Sequence, residues 1–202
     1  MARSARELDR LLSSAEGLFT TYYNLLEGEV HLPHGNEMDE LREMADTKLF
    51  PGCRKHIRFA ALSLNGAGLP HYGDCSFVFR ESMIAHRASA YEENSAYFLK
   101  KHEYAPPPGH RATWEERAKL AVAKHGGDLD AAVTPEQFAG LVLKPGATSK
   151  EDCFIEVHIW GPMSIQTVEQ VLLTAPSKGG RSVSKAIRDR LKKEGVKVEN
   201  LQ

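Results

Sequence analysis

The stretch from Asp152 to Pro162, Asp-Cys-Phe-Ile-Glu-Val-His-Ile-Trp-Gly-Pro, constrains the fold of this chain more than any other. β-Branched and aromatic side chains dominate it and Gly161-Pro162 stops it, so it predicts a strand. A strand sends alternate side chains to opposite faces. Ile155, Val157 and Ile159 then make an ordinary core face. Phe154, Glu156, His158 and Trp160 share the other face, which places a carboxylate and an imidazole between two aromatic rings. Ionisable groups in such surroundings need a partner, a cleft or a function. The plain alternative is a solvated face of an antiparallel sheet.

Before that strand the chain begins with helical periodicity. Leu8, Leu11, Leu12, Ala15, Leu18, Phe19, Tyr22 and Leu26 recur at steps of three and four, so a helix is expected from Ser4 to about Leu26. Gly28 and Pro33-His34-Gly35-Asn36 end it, and a second helix fits Glu37 to Leu49, stopped by Pro51-Gly52. These helices form an N-terminal layer suited to packing or to a lid. Strand patterns follow at Ile57 to Leu64, Cys75 to Arg80 and Ile84 to Tyr91. Helix openings are expected at Glu92-Glu93-Asn94-Ser95, at Thr113-Trp114-Glu115-Glu116, which resembles a capping box, and at Thr134-Pro135-Glu136. Thr167 to Leu173 reads as a last strand. Between Lys178 and Lys197, eight basic residues face two acids, with Val183, Ile187 and Leu191 as a narrow apolar stripe, so a basic amphipathic helix is expected. The resulting fold class is α+β. Residues 1–52 form a helical region packed on a core of residues 53–176, and residues 177–202 form a basic helix and tail.

Composition narrows the function classes. A formal net charge of −1 over 202 residues gives no global steer toward nucleic acid or membrane. No apolar run approaches the roughly 20 residues that span a bilayer. The N-terminal residues lack a signal-peptide core, and three scattered cysteines argue against a disulfide framework, so a cytoplasmic protein, or one delivered without a classical signal, is expected. Asn65-Gly66-Ala67-Gly68 lacks the third glycine of a dinucleotide fingerprint and the lysine of a phosphate loop. Neither a Gly-x-Ser-x-Gly elbow nor a complete zinc spacing occurs: Cys53-x-x-His56 has no second pair, and His31-x-x-His34 reads as turn residues.

Three segments remain that could converge: His56 and Arg58 on an early strand, Arg87-Ala88-Ser89 with Glu93-Asn94-Ser95, and Glu156 with His158. An early cation, a small hydroxyl and a late carboxylate suit displacement at an anomeric carbon carrying a cationic leaving group. The cation grips a diphosphate, the hydroxyl positions the substrate and the carboxylate stabilises an oxocarbenium-like centre.

Tyr72-Gly73-Asp74-Cys75, Arg87-Ala88-Ser89 before Glu93-Asn94-Ser95, and Phe154 to Pro162 resemble the blocks of ADP-ribosyltransferase-like toxin and effector domains. The resemblance covers roughly Lys55 to Thr174. It implies a split, mostly antiparallel sheet with nicotinamide adenine dinucleotide (NAD) in the cleft as substrate. It also implies transfer of ADP-ribose to a protein or nucleic-acid acceptor and release of nicotinamide. Glu156 matches the catalytic carboxylate, and His158 stands beside it. His56 or Arg58 matches the first-strand NAD-binding residue and Ser89 the middle hydroxyl; Tyr72, Arg87 and Asn94 fall in the matching blocks as further NAD contacts. No Ser-Thr-Ser triplet is present, and Phe154 stands where many members carry an acceptor-engaging Glu or Gln, so the acceptor stays open. A toxin would also leave room for a neutralising protein partner.

Two other classes fit the same residues. A metal-independent ribonuclease could use His158, Glu156 and an arginine as acid, base and phosphate clamp, with the basic tail on RNA. A non-catalytic module could use the cleft and tail to recruit a partner.

Overall fold

A computed structural model describes residues 1–14, 17–27, 37–174, 183 and 185–201. The helix stop expected at Gly28 and residues 33–36, the His31/His34 pair, and Lys178 and Arg181 of the basic run lie outside these. The architecture is mixed, with helices packed on several sheets whose pairings are mainly antiparallel.

The chain opens with β1 (Ala2–Arg3) and α1 (Ala5–Ser13), whose first turn is capped by Ser4 Oγ accepting from the Glu7 N–H at 3.2 Å. The single helix expected over Ser4 to Leu26 is broken. Gly17 turns the backbone at φ 55°, Leu18 bridges Ser164, and the Phe19 N–H donates to Met163 O at 2.8 Å. The cause is tertiary: Phe19 is buried, its ring edge-on to Phe77 at 5.0 Å and to Phe79 at 5.7 Å. That packing overrides a periodicity that helix propensity alone would satisfy. A short α2 (Tyr22–Glu27) follows, and then α3 (Glu37–Leu49), as expected.

β2 (Ile57–Ala61) and β3 (Cys75–Phe79) sit within their expected runs. The next run is only half extended: α4 (Glu81–Ile84) and a 3₁₀ turn precede β4 (Ala88–Tyr91). Asn94 then caps α5 (Ser95–Lys101), accepting from the N–H groups of Ala96 and Tyr97. The capping box read at Thr113 does not form. Thr113 ends β5 (Arg111–Thr113) opposite Ser89, and α6 (Arg117–His125) starts at Glu116 without a side-chain cap. Trp114 instead donates to Glu81 Oε1 at 2.8 Å while the Arg117 guanidinium covers its ring, so sheet pairing and a cation–π stack take the place of the cap. The helix expected to open at Thr134 does form as α7 (Pro135–Val142), and a capping box that was not anticipated closes its start, with Thr134 and Gln137 bonded reciprocally.

β6 (Leu143–Lys144) pairs with β7 (Cys153–Phe154), and β8 (Glu156–Trp160) carries the carboxylate and the imidazole. Gly161 at φ 82° allows the sharp exit into Pro162. β9 (Val168–Leu173) follows. The basic run forms α8 (Lys185–Lys193) and then β10 (Lys197–Asn200), a strand that the charge pattern had hidden.

Two four-stranded sheets organise these elements. One, in the order β1-β3-β9-β10, is antiparallel except for the parallel β9–β10 pair. The other, in the order β2-β8-β4-β5, is antiparallel throughout. The main core lies between them: Val157 and Ile159 pack in one cluster with Phe77, Val171, Leu173, Leu8, Leu11 and Leu191. The expected core face of β8 is thus the buried interface between the sheets. The opposite face of the second sheet turns toward α3 and α5, which pack on each other through Leu41, Ala45, Ala96 and Leu99. Among the described residues no helix is long and apolar enough to cross a membrane.

Candidate active site

Register places the site. Opposite residues of an antiparallel pair share a face. Phe59 faces His158, which faces Ser89; Ala61 faces Glu156, which faces Tyr91. Glu156 and His158 are each only 2 % exposed, so the face expected to carry charge is not a solvated one. Phe50, Phe59 and Tyr91 box the His158 ring, with centroids 4.9, 5.4 and 5.6 Å away.

The Glu156 carboxylate has three donors. Oε2 accepts from the Ser95 backbone N–H at 2.8 Å and lies 2.9 Å from His158 Nε2, while Oε1 accepts from Arg42 Nη2 at 3.1 Å. With the His158 proton on Nε2, the network is consistent, and Nδ1 has no partner among the described residues. A carboxylate has about four acceptor positions. Two donors fill Oε2 and one sits on Oε1, which leaves Oε1 as the oxygen able to meet a ligand. Burial alone would push this carboxyl up, but the Arg42 charge, then the His158 hydrogen bond and the Ser95 N–H, bring it down to about 2.

Arg42 comes from α3 and is itself buried. Besides Glu156 it reaches Asn94 Oδ1 at 3.0 Å, Ser95 Oγ at 3.0 Å and Asp46 Oδ1 at 3.4 Å. Its guanidinium lies over the Phe59 ring, 4.5 Å from the centroid. Asp46, fully buried, also accepts from Tyr23 OH at 2.9 Å. Burial raises the Asp46 carboxyl above its usual range, against the pull of Arg42 and Tyr23. The polar cluster therefore ties α2, α3, the α5 cap and β8 together.

Beside the cluster lies a cavity of about 450 Å³, built around the edge strand β2 and the N-terminal segment. Glu156, Arg42, Asn94, Tyr72, Phe59 and Phe154 line it, as do Arg58 and Arg3. Its size falls within the range of small-molecule sites. Arg58 belongs to the other face of β2. Its Nε and Nη2 donate to Phe19 O at 3.0 and 2.9 Å, and its Nη1 to Gly161 O at 2.6 Å and to His56 O at 3.3 Å. Among the described residues no carboxylate pairs with it. Burial, then the like charges of Arg87 and Arg3, bring its guanidinium down to about 10. An unbalanced buried cation on a cavity wall favours an anionic occupant.

No family model, no curated protein and no solved structure matches this chain.

Of the residues singled out in the sequence, Glu156, His158 and Asn94 meet in one cluster, and Arg58 and Tyr72 line the same cavity. His158 supports Glu156 from behind and is not part of the cavity wall. Three others stand apart from the cavity. His56 is exposed and edge-on to Trp160 at 5.6 Å. Arg87 holds the carbonyls of Met83, Trp160 and Pro162 at 2.8–3.0 Å, binding the β8 exit to the turn before β4. Ser89 shares the face of His158 and accepts from Arg111 Nη2 at 3.2 Å. Ser95, from the expected Glu93-Asn94-Ser95 segment, joins the cluster, whereas Arg42, Asp46 and Tyr23 were not singled out. Their one local signal is the Arg42–Asp46 spacing of four on a helix, a pattern common on solvated faces.

Proposed function

We propose that this chain is an NAD-dependent ADP-ribosyltransferase-like enzyme that transfers ADP-ribose to a protein or nucleic-acid acceptor. The observation that carries the reading is Glu156: a buried, ionised carboxylate on the wall of a cavity, with an acceptor position open on one oxygen. A carboxyl held at about 2 has no proton to give near neutral pH, so it cannot serve as a general acid. Such a carboxylate suits a leaving group that departs unprotonated. Nicotinamide does so: the bond from the anomeric carbon to the pyridinium nitrogen breaks, its electron pair neutralises the ring, and the ribose becomes an oxocarbenium-like cation. The acceptor's nucleophile bonds to that carbon and loses its proton. Glu156 stabilises the transient cation electrostatically from its buried position on the cavity wall.

The rest of the lining supports the same substrate. Phe59, Phe154 and Tyr72 offer aromatic surface for flat rings, and Arg58, which no described carboxylate pairs, supplies positive charge for a diphosphate, whereas Arg3 on the same wall is paired with Glu7 at 3.2 Å. The two packed sheets with a cavity at the β2 edge are compatible with the split sheet that the resemblance implies. A ribonuclease pairing His158 with Glu156 draws less support, because the imidazole is boxed by three rings behind the carboxylate.

The test is nicotinamide release from NAD by the purified protein, with and without proteins and RNA from a lysate. Wild type should consume NAD and label an acceptor, and Glu156→Gln, which keeps the shape of the side chain, should lower turnover at least about 100-fold. Failure of the wild type to bind or consume NAD, or full activity in Glu156→Gln, would remove the reading.

A further inference from the structure

The three donors on Glu156 are not equivalent in what they fix. The Ser95 N–H and His158 Nε2 both meet Oε2, so alone they leave the carboxylate plane free to turn about that oxygen. The third donor, Arg42 Nη2, meets Oε1 and stops the rotation. Arg42 is itself held on every side. Asn94, Ser95 and Asp46 accept from its two terminal nitrogens, the Phe59 ring lies against its face, and Tyr23 locks Asp46. A surface ion pair needs none of this. A planar fork that ties four acceptors at once is a task for arginine and not for lysine.

We infer that Arg42 is a positioning residue for Glu156, holding its carboxylate so that the open acceptor position of Oε1 stays available to the cavity. The inference rests on Glu156 being the carboxylate that meets the substrate. The titratable groups packed around Glu156 are Arg42 and Asp46 from α3, His158 on its own strand, Tyr91 on β4, and Tyr72 and Tyr23 nearby. Of these, Arg42 alone brings a permanent positive charge into hydrogen-bond contact with the carboxylate, so its removal should be read in the titration of Glu156 as well as in the rate.

The experiment compares Arg42→Gln and Arg42→Lys with wild type. It uses carbon-13 NMR titration of the side-chain carboxyls, with Glu156 assigned by its loss in Glu156→Gln, and the pH profile of NAD cleavage. Arg42→Gln should move the Glu156 titration and the acid limb of kcat upward. It should lower kcat about 100-fold with little change in KM, the scale of loss expected from slight misplacement of a reacting group. Arg42→Lys keeps the charge without the fork, so its acid limb should stay near that of wild type while kcat falls less steeply. An unmoved Glu156 titration or a wild-type kcat in Arg42→Gln overturns the inference. Should Arg42→Gln not fold, a wild-type Glu156 that titrates in the ordinary carboxylate range, or Arg42→Lys with wild-type kcat, does the same. If wild type cleaves no NAD while Glu156 titrates low and rises in Arg42→Gln, the NAD reading fails and the positioning role stands.

Discussion

Glu156 titrates at about 2 in the folded protein against an ordinary 4.5, and that difference is linked to stability. A depressed carboxyl contributes stability that is fully present above its unfolded value and is lost as pH falls through the folded one. The window for Glu156 is therefore about pH 4.5 down to about pH 2. At about 1.4 kcal/mol per unit, the contribution is on the order of 3 kcal/mol. Asp46 works in the opposite sense: its raised carboxyl makes folding less favourable as pH climbs above its unfolded value. Urea denaturation from pH 6 to pH 2.5 should show a loss of stability in the wild type that Glu156→Gln largely lacks, since an amide does not titrate. Equal acid slopes for the two proteins would contradict this origin.

At the scale of elements, Asn94 and Thr134 make a useful contrast. Both cap a helix, yet Asn94 Oδ1 also receives Arg42, whereas among the described residues the Thr134 side chain bonds within its own capping box. Thr134→Ala should cost about 1 kcal/mol by denaturant titration and leave the proposed NAD cleavage untouched. Asn94→Ala should cost more, because it also strips an acceptor from a buried guanidinium, and should lower turnover. The same contrast shows what could be read in advance. The caps at Asn94 and Thr134, the strand at Glu156 and the helix from Glu37 carry local signals, and all four form. The break after Ser13, the strand at Thr113 and the pairing of Lys197–Asn200 with β9 depend on distant partners. So does the meeting of Arg42 with Glu156 across 114 positions of chain, which left the site half legible. The carboxylate announced itself through an unusual strand face, while its guanidinium partner sat in a helix that looked like any solvated one.

Across the whole molecule, the basic run that looked like an appendage is built into the core. Leu191 is fully buried among the residues between the two sheets, Val196 is buried beside it, and β10 completes the edge of the first sheet. Leu191→Ala should therefore cost about 2–5 kcal/mol in chemical denaturation, as a core truncation does and a surface change does not. The cationic side chains of α8 lie at the surface, where Arg190 donates to Leu12 O and Arg188 to Asn200 Oδ1, while Leu191 and the half-buried Ile187 hold the helix from beneath.

Arg58 reaches the same scale by another route. Among the described residues no carboxylate pairs with this guanidinium, yet it gathers the carbonyls of Phe19, His56 and Gly161, which lie at sequence positions as much as 142 apart. Those three bends are tied to one side chain, with Phe19 O on Nε and Nη2 and the carbonyls of His56 and Gly161 on Nη1. Heating should thus release the N-terminal loop and the exit of β8 in a single event, a rivet failing and not a seam fraying.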